Sequence, residues 1–145
     1  MRFASHLEAE SDGTRFPLDS LQTTHGDQPI VVRYDLVGLG RSVARSAVTA
    51  RPATMWRSPE LLPHAHDAAP VSLGENMTPL LDCPRLAQRF SVRRLWVKDE
   101  GLLPTGSYKA RGRAMAVTMA KALGVTHVAA PTAGNAGGAL AAYAA

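Results

Sequence analysis

The stretch LWVKDEGLLPTGSYKARG, residues 95–112, decides the fold class because it reads as strand, loop and helix in succession. The short apolar run at 95–98 is typical of a buried strand. A loop with glycine and proline follows at 101–106. Ser107 then offers a side-chain oxygen at the start of a helical stretch, where we expect it to act as an N-cap.

The same order of elements repeats immediately downstream. Residues 108–123 are rich in Ala, Met, Lys and Arg, which favour helix, and Gly124 stands where that helix would stop. Residues 125–130 (VTHVAA) predict a second strand, 131–138 a second glycine-rich loop, and the residues from Ala139 a second helix. Strand, loop and helix repeated in this way predict an α/β fold with a parallel sheet and a right-handed crossover.

Residues 1–70 predict a lead segment of a different kind, because proline interrupts it repeatedly. We expect it to be irregular, with one short strand at 30–34 (IVVRY). Met55 and Trp56, together with Leu61 and Leu62, are interpreted as an anchor that packs this segment onto the rest of the chain. The chain is therefore divided into the lead segment and residues 71–145.

Composition excludes several classes of protein. The chain has 145 residues, of which 46% are hydrophobic and 19% charged, as in a globular domain and unlike a disordered chain. No apolar run is long enough to cross a bilayer, and the N-terminus lacks the apolar core of a secretory signal. A single cysteine, Cys83, excludes an internal disulfide framework. We therefore expect a cytoplasmic protein without a membrane partner.

Neither nucleic acid nor metal is an expected partner. The net charge is +4, but aromatic residues make up 6% and the arginines form pairs rather than a patch. His64 and His66 have no third ligand nearby in the sequence, and no metal site is expected.

Lys109 is the first residue that points to chemistry. A lysine in the first helical turn lies at the positive end of the helix dipole, which disfavours a second positive charge. The neutral amine, which is the form that attacks a carbonyl group, is favoured there. The alternative is an exposed lysine whose aliphatic stem runs past the turn.

The glycine-rich loop PTAGNAGG (residues 131–138) is the second such feature. Small residues before a helix let backbone N–H groups converge on a carboxylate or a phosphate. The alternative is a turn that only closes a strand–helix junction. If both loops follow neighbouring parallel strands, they lie at the edge of the sheet where open α/β folds bind ligands.

Three motifs in the second half resemble those of the fold-type II pyridoxal-phosphate enzymes, the tryptophan synthase β-like superfamily. Residues 95–112 resemble the lysine motif of that family, and VAAPTAGNAGGA (128–139) resembles its asparagine loop. VSLGENMTPLL (71–81) resembles the segment that precedes them. The resemblance covers residues 71–145 and implies the family's parallel-sheet fold, with pyridoxal 5'-phosphate as the cofactor.

The resemblance also implies roles for individual residues. Lys109 would form the Schiff base with the cofactor and move protons, and Asn135 would hydrogen-bond the ring hydroxyl of the cofactor. Tyr108 would pack beside the ring, and Ser107 would lie near the cofactor phosphate or cap the helix. The α-carboxylate of the substrate would be held by Thr132, Ala133, Gly134 and Ala136.

Within this family the chain most resembles members that convert O-phospho-L-homoserine and water to L-threonine and phosphate. The alternatives are threonine or serine ammonia-lyases of the same fold, a non-catalytic truncated chain, and a simple anion-binding module. Some relatives carry paired cysteines in the lead segment, and their absence here implies no zinc ribbon. The sequence is expected to be the front of a longer enzyme, truncated after the second βα unit and inactive alone. The full-length enzyme is expected to be a homodimer.

Overall fold

The computed structural model describes residues 2–63 and 68–145, so His64 and His66 lie outside the described residues. Over the described residues the chain is a mixture of helices and short strands, and the strands form two antiparallel sheets. The mixed α/β class is as predicted.

A four-stranded antiparallel sheet forms the N-terminal part of the chain. Its strands, in the spatial order β2-β1-β4-β3, are β1 (Ala4–Ala9), β2 (Arg15–Phe16), β3 (Thr24–His25) and β4 (Gln28–Tyr34). The strand predicted at 30–34 is therefore confirmed, but the prediction of an otherwise irregular lead segment is wrong. Gly13 and Gly26 adopt positive φ values of 75° and 59°, and the turns they occupy let neighbouring strands pair.

Two short helices and two single turns of 3₁₀ helix follow the sheet. Their bounds are α1 (Leu36–Ser42), α2 (Arg45–Thr49), and turns at Met55–Arg57 and Pro59–Leu61. Arg51 and Glu60 connect these elements, because two guanidinium nitrogens of Arg51 donate to the Glu60 carboxylate at 2.8 and 2.6 Å.

The second sheet has two strands, β5 (Leu80–Asp82) and β6 (Trp96–Lys98), with helix α3 (Pro84–Arg89) between them. The strand predicted at 95–98 is confirmed, but it pairs antiparallel with β5. Residues 125–130 form no strand, although the sequence predicts one. A strand needs a neighbour for its hydrogen bonds, and no described segment pairs with these residues. A parallel βαβ arrangement is therefore absent from the described part of the chain.

Two longer helices carry the second half, α4 (Lys109–Ala122) and α5 (Asn135–Ala144). Helix α4 agrees with the predicted range to one residue at each end, and Gly124 follows it with φ +70°. Helix α5 starts at Asn135, four residues earlier than the glycine content predicts.

The apolar core lies between these helices and the lead segment. Its buried members are Leu103, Ala110, Ala114 and Tyr143, and its partly buried members are Met55, Trp56, Val71 and Val117. The predicted anchor is thus confirmed for Met55 and Trp56, but it is wrong for Leu61, which is 42% exposed, and Leu62 is not a member of this core.

The hydrogen bonds of the Thr118 hydroxyl allow the contact between α4 and Val71 to be tested. Its buried hydroxyl accepts a hydrogen bond from the Val71 N–H at 2.9 Å and donates one to the Ala114 carbonyl at 2.7 Å. Thr118→Val keeps the volume but leaves the Val71 N–H unpaired, so we expect a loss of about 2 kcal/mol in the free energy of unfolding. Denaturant titration measures this loss. The exposed Thr126→Val is the matched control, and equal stability of the two variants would contradict the prediction.

Glu60 predicts a pH dependence of stability. Hydrogen bonds from Arg51 hold the pKa of the Glu60 carboxyl at about 2, below its ordinary value of 4.5. Because the folded-state pKa is depressed, ionised Glu60 stabilises the fold above about pH 4.5, and this stabilisation is lost as the pH falls toward 2. Glu60→Gln should therefore flatten the dependence of unfolding free energy on pH in that window, whereas exposed Glu10→Gln should leave it unchanged. An unaltered slope in Glu60→Gln would disprove the assignment.

Candidate functional site

The turn before helix α4 sets the position of Lys109. Thr105 and Gly106 both have positive φ, at 65° and 68°, and the chain reverses there before Ser107 resumes an extended conformation. Ser107 is buried, and its Oγ accepts a hydrogen bond from the Lys109 N–H at 3.3 Å. The N-cap position of α4 is occupied by Tyr108 and not by Ser107 as predicted, but the Ser107 hydroxyl still holds the backbone of the residue that opens α4.

The side chain of Lys109 is half-buried and lies against its neighbour. Its Nζ is 4.8 Å from the centroid of the Tyr108 ring, a distance at which a cation is attracted to the ring face. Tyr108 itself is 61% exposed, so its ring is accessible to a ligand.

Thr132 organises the turn that opens helix α5. Its Oγ1 accepts hydrogen bonds from the N–H groups of Gly134 at 3.0 Å and Gly137 at 2.8 Å. Its hydroxyl also lies 3.2 Å from the Gly134 carbonyl oxygen and donates to it. Gly134 has a φ of 140°, a conformation that side-chain-bearing residues rarely adopt. The threonine hydroxyl thus satisfies part of the helix start.

Three backbone N–H groups of this loop, those of Ala133, Asn135 and Ala136, donate to no other residue of the described chain. N–H groups at the start of a helix point outward and carry partial positive charge. They are donors suited to a carboxylate or a phosphate.

Lys109 and this loop share one cleft of about 370 Å³. It is lined by Lys109, Pro131, Thr132, Ala133, Gly134, Asn135 and Ala136. The structure therefore brings together six of the eight predicted site residues, and Ser107 and Tyr108 precede Lys109 directly. A larger cavity, of about 530 Å³, is mainly aliphatic and adjoins the C-terminal ends of α4 and α5.

A charged network beside the cleft holds the start of α4. Arg111 donates to both carboxylate oxygens of Glu100, at 2.7 and 3.0 Å, and to the Asn76 carbonyl at 3.2 Å. The Thr78 hydroxyl also donates to Glu100, and Lys98 Nζ donates to Thr78 Oγ1 at 2.6 Å. The Arg111 guanidinium, followed by the Thr78 hydroxyl, lowers the pKa of Glu100 to about 2. Glu100 is thus an ionised structural group.

Sequence reasoning missed Glu75, which is fully buried and accepts a hydrogen bond from Tyr143 of α5. The only signal in the sequence is one acidic residue within an otherwise uncharged segment, 71–81.

No group of three or more metal-ligating side chains occurs in residues 2–63 and 68–145, and none of the helices described there could span a membrane.

Comparison with known proteins gives the family. Residues 71–145, slightly more than half of the chain, match the family described as "Pyridoxal-phosphate dependent enzyme". The chain belongs to the pyridoxal-phosphate dependent enzyme family. Its cofactor is pyridoxal phosphate, and the cleft fits that group because it combines a primary amine with N–H donors for anions. No solved structure matches the chain.

Similar members of the pyridoxal-phosphate dependent enzyme family include several threonine synthases. The enzyme of Methanosarcina acetivorans is 44% identical over 90 residues, which are 62% of this chain and 22% of that protein. The enzyme of Methanocaldococcus jannaschii is 39% identical over 112 residues, or 77% of this chain and 28% of that protein. The enzyme of Mycobacterium leprae is 46% identical over 84 residues, or 58% and 23%. The chain thus spans about a quarter of the length of these relatives.

Two adjacent glycines of α5 test the structure of the loop. A Cβ added at Gly137 would lie 2.6 Å from Thr132 Cγ2, so Gly137→Ala must displace the threonine that caps the helix. A Cβ at Gly138 would meet nothing within 4 Å, and alanine there favours the helix by about 1 kcal/mol. We expect thermal unfolding to show a lower melting temperature for Gly137→Ala and an equal or higher one for Gly138→Ala. The reverse order would show that Thr132 does not hold the turn.

Proposed function

We propose that this chain carries the lysine and the anion-binding loop of a threonine synthase. The reaction would convert O-phospho-L-homoserine and water to L-threonine and phosphate. The observation that carries the proposal is the cleft in which Lys109 meets residues 131–136. The similarity to threonine synthases supports the choice of reaction within the family.

Lys109 is proposed as the catalytic residue, with its Nζ as the atom that attaches to the cofactor and then accepts and returns protons. When bound, pyridoxal phosphate supplies an electron-withdrawing ring that stabilises negative charge on the carbon skeleton of an amino acid. Tyr108 lies next to Lys109 Nζ, and its exposed ring would pack beside that of the cofactor. Ser107 holds the Lys109 backbone in place through its hydrogen bond and would lie near the cofactor phosphate.

The loop at the start of α5 is proposed to bind the α-carboxylate of the substrate. The N–H groups of Ala133 and Ala136 are suited to this task because no other described residue engages them. The Gly134 N–H donates to Thr132 Oγ1, so these two residues would act by keeping the turn open to the anion. The Asn135 side chain, which lines the same cleft, would hydrogen-bond the ring hydroxyl of the cofactor.

The oligomeric state and the cellular location of the protein remain predictions. A homodimer is proposed for the complete enzyme, together with a cytoplasmic location suited to a small phosphorylated substrate. Residues 71–145 are proposed as its N-terminal catalytic part, and residues 1–70 as the lead segment.

Trapping of the cofactor on the lysine tests the proposal. The purified protein is mixed with pyridoxal phosphate, reduced with borohydride, digested and analysed by mass spectrometry for the modified residue. We expect the label at Lys109, because its half-buried amine lies in the cleft, and we expect Lys109→Ala to abolish it. Lys121→Ala, which removes an exposed lysine of the same helix, should leave it unchanged.

The reaction is then assigned by product, in the full-length enzyme. Release of phosphate from O-phospho-L-homoserine would support a synthase, whereas release of ammonia from L-threonine would identify an ammonia-lyase. Label distributed equally over Lys98, Lys109 and Lys121 would overturn the proposed site itself.

A further inference from the structure

Glu75 is among the largest side chains that are fully buried in the described chain. One carboxylate oxygen accepts hydrogen bonds from Trp56 Nε1 at 3.0 Å and Ser72 Oγ at 2.6 Å. The other accepts from the Leu73 N–H at 2.8 Å and from the Tyr143 hydroxyl. The carboxylate therefore joins the lead segment, the 71–81 segment and helix α5 at one point.

Helix α5 has few side chains that can hold it in place. Apart from Asn135, Leu140 and Tyr143 it consists of alanine and glycine, and its buried residues are Ala139 and Tyr143. Tyr143 is thus the one large side chain of α5 that is buried, and its hydroxyl makes the bond to Glu75.

The surface of α4 against which α5 packs also consists of small side chains. The buried residues of α4 are Ala110, Ala114 and Thr118, at intervals of four, so small side chains line one face of the helix. Side chains that interlock are what normally resist sliding of one helix along another. With small residues over most of this contact, the buried ring of Tyr143 and the hydrogen bond that its hydroxyl makes are left to set how far α5 is displaced along α4.

The displacement of α5 matters because the helix begins at the cleft. Asn135, its first residue, lines the cleft, and Tyr143 lies eight residues or about 12 Å further along the helix. A helix moves as a rod, so a shift at Tyr143 moves the loop 131–136 by a similar amount. Lys109 is fixed separately, on α4.

We propose that Glu75 and Tyr143 are positioning residues whose hydrogen bond sets the distance between the anion-binding loop and Lys109 Nζ. The proposal rests on the proposed function for the roles of that loop and that lysine.

The ionisation states of Glu75 and Tyr143 allow the hydrogen bond between them to persist. Burial alone raises the pKa of the Glu75 carboxyl, but hydrogen bonds from Ser72, Tyr143, Leu73 and Trp56 overcome this effect and leave the pKa below its ordinary value. Burial, followed by the bond to Glu75, raises the pKa of Tyr143. Tyr143 thus stays a donor and Glu75 an acceptor.

The test compares variants of the purified protein for two properties, attachment of pyridoxal phosphate at Lys109 and affinity of the loaded protein for L-threonine. Attachment is measured by borohydride trapping, and affinity by the change in visible absorption. Tyr143→Phe keeps the ring but removes the hydroxyl. We expect it to retain the label at Lys109 and to raise the dissociation constant for L-threonine about ten-fold.

Two control variants separate positioning from stability. Ser72→Ala removes another donor to the same carboxylate but leaves the Tyr143 bond, so we expect it to lower the melting temperature with little change in affinity. Tyr34→Phe makes the same chemical change on strand β4 and should alter neither property.

Glu75→Gln provides a second route to the result. Trp56 Nε1 and the Leu73 N–H can only donate, and they face different oxygens, so either orientation of the amide places its NH₂ group against a donor. Displacement of the amide by this contact weakens its bond to Tyr143, so we expect affinity to fall in the same direction, and the double variant with Tyr143→Phe should lose less than the sum of the two single losses. If Tyr143→Phe does not fold, Glu75→Gln is compared with Ser72→Ala instead.

Failure of the positioning proposal and failure of the proposed function give different results. Unchanged affinity in Tyr143→Phe, or additive losses in the double variant, would overturn the positioning proposal. Absence of the label at Lys109 in the unmodified protein would instead overturn the proposed function, and this is seen before any variant is compared.

Discussion

The buried carboxylate of Glu75 is the interaction on which the rest of the structure depends. An ionised group removed from water is stable only where donors replace its hydration, and Glu75 has four donors. Two of them, Trp56 and Tyr143, lie 19 and 68 residues away in the sequence. The carboxylate is therefore satisfied only when the lead segment and helix α5 are both in place, which makes their packing cooperative.

The cleft draws its chemistry from the start of two helices. Lys109 is the first residue of α4 and Asn135 is the first residue of α5, and both line the cleft. The positive ends of two helix dipoles and one lysine therefore meet in a small volume, and the field there favours an anion. Thr132 contributes by accepting from the N–H groups of Gly134, just before α5, and of Gly137, within it, and it leaves those of Ala133, Asn135 and Ala136 without a partner among the described residues.

Several of the features predicted correctly from the sequence have local causes. Helix α4 was predicted to within one residue at each end because its composition and Gly124 act over a few residues. The strand predicted at 125–130 was wrong because a strand depends on its neighbour, and β6 pairs with β5 instead. The loop and Lys109 were recognisable from their motifs, whereas the burial of Glu75 depends on distant donors that no local pattern reveals.

The 71–81 segment explains how the two helices come to share a cleft. Through Glu75 it bonds to Tyr143 of α5, and through Asn76 and Thr78 it contacts Arg111 in the first turn of α4 and Glu100 in the segment before that helix. One short stretch of chain thus contacts both helices. Because α4 and α5 meet mainly through small side chains, their mutual position is set by these polar contacts more than by interlocking side chains. The separation between the lysine and the anion-binding loop is therefore determined by a segment that lies outside the cleft.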